Sequence, residues 1–245
     1  MTPRITLAVA GRVLTQLRRD HRTLAMLLVL PCLLIALLWW MFDDVPGDTF
    51  NTFGPGLLAM FPFIIMFLVT SVTTLRERGS GTLERLLSMP MGKGDFLVGY
   101  ALAFGLVAAL QSVLAVALSV GFLSMEIEGS LWLLTVVAVA DAVLGTALGL
   151  LVSAFAQTEF QAVQFMPAFV IPQILLCGLF VPRASMPEVL EAISNVLPLS
   201  YAMDAMSELS RTADSSAVWG DLAVVAGFAV AALLLGAATL KRRTA

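Results

Sequence analysis

The chain has 245 residues, of which 59% are hydrophobic and only 13% are charged, and its mean hydropathy is +0.94. A soluble domain typically carries about 25% charged residues. Because a water-soluble fold of this size cannot bury so much apolar surface, the composition indicates a lipid-embedded protein and excludes a disordered or nucleic-acid-binding chain. Both cysteines, Cys32 and Cys177, lie in apolar runs, which argues against a disulfide framework and a zinc site.

The N-terminal segment, residues 1–22, has the pattern of a basic amphipathic helix. Apolar residues recur every four positions with arginines between them: Ile5, Val9, Val13 and Leu17. Helices of this kind lie in the cytoplasmic interface and are attracted by anionic headgroups. The helix could serve only as a topology anchor, or it could have a role in function.

Six apolar stretches are long enough to cross a bilayer core of about 30 Å as helices. The sequence therefore predicts an all-α polytopic membrane protein that forms a single domain over residues 1–245. The predicted spans are approximately 24–42, 56–75, 96–123, 131–155, 161–181 and 217–240.

The few charges are distributed unevenly between the predicted loops. Of the 14 Lys and Arg residues, five lie in the N-terminal segment, four in the 76–95 loop and three in the C-terminal tail. The opposite set of loops holds only Arg183 and Arg211, against eleven acidic residues. Because Lys and Arg accumulate on the cytoplasmic side, we expect a multi-pass plasma or inner membrane protein with both termini in the cytoplasm.

The 76–95 loop contains a short helical pattern. Gly-Ser-Gly at 79–81 ends the second span, and a helix can run over 82–88 before Pro90 stops it. Three leucines share one face of this helix: Leu83, Leu86 and Leu87. A helix this short is unstable alone in water, so we expect it to dock on the membrane or on a partner protein.

The run from Arg76 to Pro90 resembles the cytoplasmic loop of type-two ABC exporter permeases, which include daunorubicin-type resistance permeases and polysaccharide exporters. In that family the loop holds a coupling helix that sits in a cleft of a separate ATP-binding subunit. The resemblance implies a supporting role for Arg76, Glu77 and Arg78, and the coupling role for Gly81, Thr82, Leu83, Glu84, Arg85, Leu86, Leu87 and Pro90.

The same resemblance has further implications for partners and cofactors. The N-terminal helix corresponds to the family's connecting helix, which also touches the ATPase. The permease would pair with a second copy of itself or with a paralogous permease. ATP and Mg would be bound by the partner subunit, and no cofactor is expected in this chain.

A second match to the family lies in the predicted external segment, residues 182–216. The family often has an Arg after the run 197–205, where this chain has Ser207 and Glu208. The segment also predicts a helix with Ser185 at its N-cap and Glu188 at N3. It could be a plug on the bundle or an exit gate, and the gate candidates are Pro182, Pro187, Pro198, Tyr201 and Asp204.

Asp141 is the one ionisable residue deep inside a predicted span. On a helix it shares a face with Gly145 and Gly149, a small-x-x-x-small pattern that lets another helix approach closely. A charge at this depth costs about 2.5–3.5 kcal/mol on insertion scales. Two interpretations remain open, a packing residue between helices and a polar point on a substrate path.

The sequence contains no phosphate-binding loop, so the chain is not expected to hydrolyse ATP by itself. The resemblance favours the permease subunit of an exporter for a lipophilic or amphipathic substrate such as a drug, an antibiotic or a lipid-like molecule. A polysaccharide or glycolipid exporter permease is an alternative, as is a proton-coupled secondary transporter that uses Asp141. A membrane anchor or assembly factor without transport is a third class.

Overall fold

A computed structural model describes residues 2–45, 47–79 and 92–239, with the backbone alone at Arg78, Gly79 and Lys93. The coupling helix predicted at 82–90 lies outside the described residues. Within them the structure contains no strand, one 3-10 turn at Arg183–Ser185, and nine α-helices. The helices are α1 Pro3–Arg19, α2 His21–Phe42, α3 Thr49–Gly79, α4 Lys93–Gly121, α5 Leu131–Ser153, α6 Glu159–Leu176, α7 Glu188–Ser194, α8 Pro198–Arg211 and α9 Ser216–Thr239.

Six of these helices are long and apolar enough to cross a membrane: α2, α3, α4, α5, α6 and α9. The predicted all-α fold with six spans is therefore confirmed. The helix ends agree with the sequence prediction to within a few residues except at two places, the start of α3 and the end of α6.

The helix α3 begins at Thr49, ahead of the predicted start at residue 56. Its first turn is polar, so hydropathy alone places it outside the span. The turn is held by Asp48, whose carboxylate oxygens accept hydrogen bonds of 2.8 and 2.9 Å from the Asn51 amide. The Asn51 side-chain oxygen in turn accepts from the Glu126 N–H at 2.9 Å, so this extension joins the loop between α4 and α5.

The prediction that the fifth span continues to residue 181 is wrong, because α6 ends at Leu176. Gly178 lies in the left-handed region with φ of +96°. Glycine adopts this conformation without steric cost and is the usual residue just beyond a helix end. The chain then turns back toward the bundle through residues that are apolar but not helical.

The predicted N-cap at Ser185 is also wrong. Ser185 ends the 3-10 turn, where its N–H donates to the Pro182 carbonyl at 2.9 Å. Helix α7 begins only at Glu188, after Pro187 in an extended conformation with ψ of 143°. Proline has no side-chain acceptor, so the N-cap of α7 makes no side-chain hydrogen bond.

The break between α1 and α2 is set by Asp20. Its Oδ1 accepts from the Thr23 N–H at 3.2 Å, and its Oδ2 accepts from the Thr23 hydroxyl at 2.6 Å. These bonds cap the start of α2 and lower the pKa of the Asp20 carboxyl, with the Thr23 hydroxyl as the largest cause. The chain can therefore change direction between the two helices without leaving the first turn of α2 uncapped.

The helices α3 and α5 form the centre of the bundle. About 61% of the apolar window of each is buried, against 17% for α2 and α6. A methyl group added at Gly145 would lie 2.5 Å from the Phe63 carbonyl oxygen, and one at Gly149 would lie 2.5 Å from that of Phe67. Only glycine permits so close a backbone approach at these two positions.

The apolar face of α1 is covered by protein. Val9, Val13 and Leu17 are buried in a cluster with Phe96, Tyr100 and other residues of α4. A methyl group added at Gly99 of α4 would lie 2.8 Å from the Val9 Cβ atom. The predicted amphipathic helix is therefore present, and most of its apolar stripe packs on the bundle.

We expect Gly145→Ala and Gly149→Ala each to lower the midpoint of thermal unfolding in detergent. The added methyl group meets the α3 backbone, and overpacking of this kind costs about 1–3 kcal/mol. The matched control is Gly227→Ala in α9, where the methyl group meets no atom within 4 Å. An unchanged midpoint for the first two variants would contradict the close packing of α3 and α5.

Candidate functional site

One end of the bundle, here called the terminal face, brings together both ends of the 80–91 segment. It consists of α1, the last turn of α3, the first turns of α4 and α6, and the end of α9. Gly236 of α9 lies beside Leu97 of α4, and Gly99 of α4 lies beside Val9 of α1, so both terminal helices pack against α4 at this face. The three contacts described next connect these elements.

Arg12 joins α1 to the end of α3. Its Nη2 donates to the Glu77 carboxylate at 2.5 Å and to the Tyr100 hydroxyl at 3.1 Å. The Glu77 side chain is 6% exposed and that of Arg12 is 33% exposed. A carboxylate this buried requires a charged or hydrogen-bonding partner, and Arg12 supplies one from a different helix.

Asp95 joins α1 to the start of α4. Its Oδ1 accepts from the Thr2 N–H at 2.9 Å and from the Thr6 hydroxyl at 3.1 Å. Its Oδ2 accepts from the Gly92 N–H at 3.0 Å, the bond that an acidic residue at N3 makes to its own N-cap. Helix α1 thus contacts both the residues that precede the 80–91 segment and those that follow it.

A third contact joins α3 to α6. The guanidinium of Arg76 donates to both oxygens of Glu159, at 3.1 and 3.0 Å. Both side chains are about half exposed, so solvent screens the pair and it stabilises the fold by less than about 1 kcal/mol. Its two-pronged geometry nevertheless fixes the orientation of the last turn of α3 relative to the start of α6.

A groove of about 750 Å³ opens between α1 and the last turn of α3. Small residues of α1 form part of its wall, and the cations at its rim come from both helices. Its lining residues are Ala8, Gly11, Arg12, Thr15, Gln16, Arg19, Arg76 and Glu77.

The end of the bundle away from the terminal face is closed by the segment 183–211, here called the cap. Helix α8 is the buried part of the cap, and Leu199, Ala202 and Met206 are inaccessible to solvent. Pro198 is the first residue of α8, a position whose backbone N–H has no acceptor within the helix, so a proline costs no hydrogen bond there. The cap is tied to α6 by the Ser194 hydroxyl, which donates to the Leu176 carbonyl at 2.7 Å.

Two of the predicted gate residues, Tyr201 and Asp204, meet at Arg183. One nitrogen of the Arg183 guanidinium donates to the Asp204 carboxylate, and the other donates to the Asn195 side chain. Burial raises the pKa of Asp204, while the charge of Arg183 and its hydrogen bond act in the opposite direction. Pro182 and Pro187 flank the 3-10 turn and lie at the exposed surface.

Asp141 is completely buried in the centre of the bundle. Neither of its carboxylate oxygens has a hydrogen-bond partner among the described residues. It lies one helical turn before Gly145, on the part of α5 that faces α3. A buried acid without a partner is costly in a membrane span and is found mainly where function requires it.

The chain matches the family model described as ABC-2 type transporter over residues 5–209. The chain belongs to the ABC-2 type transporter family. The resemblance stated from the 76–90 run is therefore confirmed, and the match extends from α1 to the end of α8.

Several curated ABC permeases are similar to the chain. It is 30% identical over 169 residues to "Probable multidrug ABC transporter permease YbhR" of Escherichia coli K12. The aligned region covers 69% of this chain and 46% of that relative. It is 27% identical over 188 residues to "Linearmycin resistance permease protein LnrN" of Bacillus subtilis, with the same two shares. The chain therefore spans about half the length of the curated relatives that it matches.

The sequence pattern placed Arg76 and Glu77 at this site but did not reveal their partners, Glu159 and Arg12. The side chain of Arg78 lies outside the described part of the chain. In the sequence, Arg12 is only one of several cations of an amphipathic helix, and Asp95 is only an acidic residue near the start of a predicted span. Glu159 and Arg183 carried no signal beyond their charge. An ion pair between distant segments has no local pattern, so only the packing of α1, α3 and α6 reveals these contacts. The residues 81–90 lie outside the described part of the chain.

We expect Arg12→Gln to lower the midpoint of thermal unfolding in detergent. The change removes a charged hydrogen-bond donor from the buried Glu77 carboxylate, at a cost of about 1 kcal/mol after screening of the partly exposed guanidinium. The control is Arg18→Gln, which removes an exposed arginine of the same helix that has no ion pair among the described residues. Equal midpoints for the two variants would contradict the anchoring role of Arg12.

Proposed function

We propose that this chain is the membrane-spanning permease subunit of an ATP-driven exporter. The observation that supports the proposal most is the arrangement of α1, which contacts both flanks of the 80–91 segment through Arg12 and through Asp95. In the ABC-2 type family the corresponding loop docks on the ATP-binding subunit. A force applied to the loop would therefore act on α1, α3 and α4 together.

The ATP-binding subunit would sit under the terminal face. Leu83, Leu86 and Leu87 would seat the coupling helix in its cleft, with Glu84 and Arg85 making polar contacts. The groove between α1 and α3 offers a second contact surface beside the coupling loop, with Arg12, Arg19 and Arg76 at its rim. ATP-driven closure of two such subunits would switch the bundle between inward-open and outward-open states.

The terminal face is proposed to be cytoplasmic. Twelve of the 14 Lys and Arg residues belong to three segments whose described parts lie on this side: the N-terminal segment, the 76–95 loop and the C-terminal tail, which follows α9. The excess of Lys and Arg in short loops marks the cytoplasmic side of membrane proteins. The cap would then lie at the exit side, in the position that an external gate requires.

A second permease chain is the proposed partner within the membrane. Helix α6 is only 17% buried in its apolar window and has the lowest mean hydropathy of the six candidate spans, 1.2. Its exposed surface includes Gln164 and Ala168. A glutamine facing lipid is costly, whereas the same amide against another helix can form an interhelical hydrogen bond. The partner could be a second copy or a paralogous permease.

The proposed substrate is a lipophilic or amphipathic molecule such as a drug, an antibiotic or a lipid-like compound. The names of two relatives refer to multidrug transport and to linearmycin resistance. The spans of this chain consist mainly of aliphatic residues, and aromatic residues make up only 9% of the sequence. Sugar-stacking platforms are therefore few, which disfavours a polysaccharide or glycolipid cargo.

A proton-coupled transporter is the second candidate, and Asp141 is the observation that favours it. A fully buried carboxyl group without a partner among the described residues could carry a proton across the bilayer centre. Collapse of the proton gradient would stop such a transporter, whereas depletion of ATP would stop an ABC exporter. Transport in cells treated in each of these two ways separates the candidates.

The main test of the proposed function is Glu84→Lys. We expect this change to abolish transport, because it reverses a charge in the helix that would contact the ATPase, without removing the protein from the membrane. The measurement is efflux from cells that co-express the ATP-binding subunit, with membrane abundance followed by immunoblot. Wild-type efflux, together with normal copurification of the ATPase, would refute the coupling role of the 82–90 helix.

Asp141→Asn distinguishes the two interpretations of the buried acid. The substitution keeps the shape of the side chain and removes its ability to become charged, so we expect reduced export of cationic substrates and unchanged export of neutral ones. Efflux of a matched cationic and neutral dye pair measures the difference. If a normally expressed variant exports both dyes at the wild-type rate, Asp141 is a packing residue.

A further inference from the structure

The cap is assembled from three short pieces of chain that bury little surface against one another. The 3-10 turn Arg183–Ser185 has no buried residue, and in α7 only Ser194 is buried. Several large apolar side chains of α7 are exposed, among them Val189 and Ile193. Hydrophobic burial alone therefore does not fix the turn and α7 to α8, and polar contacts must supply the remainder.

One side chain makes three of these polar contacts, beside a contact of 3.1 Å between the hydroxyls of Ser194 in α7 and Ser200 in α8. Arg183 starts in the 3-10 turn, donates one hydrogen bond to Asn195 at the end of α7 and another to Asp204 in α8. Its guanidinium carbon also lies 5.2 Å from the ring centroid of Tyr201, a cation–π geometry. The Tyr201 hydroxyl donates to the Asn195 carbonyl at 2.7 Å, which completes a network across all three pieces.

Arg183 carries the positive charge of this network. Asp221 of α9 interacts electrostatically with Asp204, with Glu208 and with Arg183, and Arg183 is the one cation in this group. The segments between the spans on this side hold ten acidic residues, and Asp221 lies near the start of α9, against only two basic residues, Arg183 and Arg211. The Arg183 side chain is only 15% exposed, whereas that of Asp204 is 43% exposed, so solvent screens the pair in part.

Space for the arginine is provided at the end of α6. The aliphatic stem of Arg183 passes Gly178, where an added methyl group would lie 3.4 Å from the Arg183 Cγ atom. The same glycine has the left-handed φ of +96° that ends α6. The turn that ends α6 thus also accommodates the stem of Arg183.

We propose that Arg183 is the latch of the cap: a positioning residue whose contacts with Asp204 and Asn195 hold the cap closed over the end of α6. The role of this latch as part of an exit gate rests on the proposed export function. The latch itself does not depend on the export function, since it is defined by contacts within this chain.

A natural reporter lies beneath the cap. Cys177 directly follows α6, is 2% exposed, and is next to Leu176, whose carbonyl accepts the Ser194 hydroxyl of α7. The only other cysteine is Cys32 in α2. In a Cys32→Ser background, the rate of Cys177 labelling by a maleimide therefore reports how often the end of α6, where the cap is attached, exposes this thiol.

The experiment measures labelling of purified protein in lipid nanodiscs, without ATP or substrate. We expect Arg183→Gln and Asp204→Asn each to accelerate labelling by at least about tenfold, the change that corresponds to 1.4 kcal/mol. Because both variants break the Arg183–Asp204 pair, the double variant should label no more than about twofold faster than Arg183→Gln alone, within the additivity error of about 0.5 kcal/mol. Arg211→Gln, the matched control, should label at the background rate.

Two results for the latch variants themselves would overturn the latch, and a third comes from the unfolding control below. One is labelling of Arg183→Gln at the background rate. The other is additive acceleration in the double variant, which would mean that the two residues act separately. A control for global unfolding is the labelling of Cys177 in Gly145→Ala, a variant expected to be destabilised at a distance from the cap. If this variant labels as fast as Arg183→Gln at the same loss of thermal stability, the acceleration reflects global unfolding and the proposal fails.

A second arm tests the latch in the export cycle. Labelling of Cys177 in the Cys32→Ser protein is compared with and without ATP, in nanodiscs that also hold the ATP-binding subunit. If the ATP-binding subunit hydrolyses ATP in these nanodiscs, we expect Cys177 to be labelled faster with ATP than without it. Equal rates during active hydrolysis would exclude a gating role for the latch. Absence of ATP hydrolysis in these nanodiscs, together with absence of efflux from cells that co-express the ATP-binding subunit, would instead count against the proposed function. That outcome leaves the result of the first arm intact.

Discussion

Gly145 and Gly149 bring the backbone of α5 into direct contact with that of α3, and the rest of the bundle is arranged around this contact. Lipid is as apolar as the helices themselves, so helices in a membrane associate through close packing and not through hydrophobic burial. Both α3 and α5 also pack against α8 of the cap. Since α3 continues to Glu77 at the terminal face, one packed unit connects the two ends of the molecule.

Ionic contacts secure both ends of this unit, while its middle is apolar except for a few polar side chains. Arg12 and Arg76 hold the last turn of α3 at the terminal face, and Arg183 holds the cap at the opposite end. At each end an arginine joins segments that are far apart in sequence. Arginine suits this role because its planar guanidinium can serve two acceptors at once and stays charged when partly buried.

The sequence predicted the number and type of spans correctly, because a hydrophobic run of about 20 residues has few alternatives to a membrane helix. It failed where local chemistry overrode hydropathy. The apolar run after Leu176 is not helical because Gly178 turns the chain, and the polar first turn of α3 is helical because Asp48 holds it. Ser185 matched a capping pattern, but Pro187 delays the start of α7 to Glu188.

Composition, hydropathy and the positions of its charges determined that this chain is an all-α membrane protein of six spans, and the 76–90 run determined its family. These properties depend on local sequence, since a span or a loop motif is complete within one segment. The tertiary structure decided that α1 contacts both flanks of the 80–91 segment, that α8 is buried, and that Arg183 meets Asp204. Such contacts join residues from separate helices, so they exist only once close packing of the backbones has fixed which faces meet.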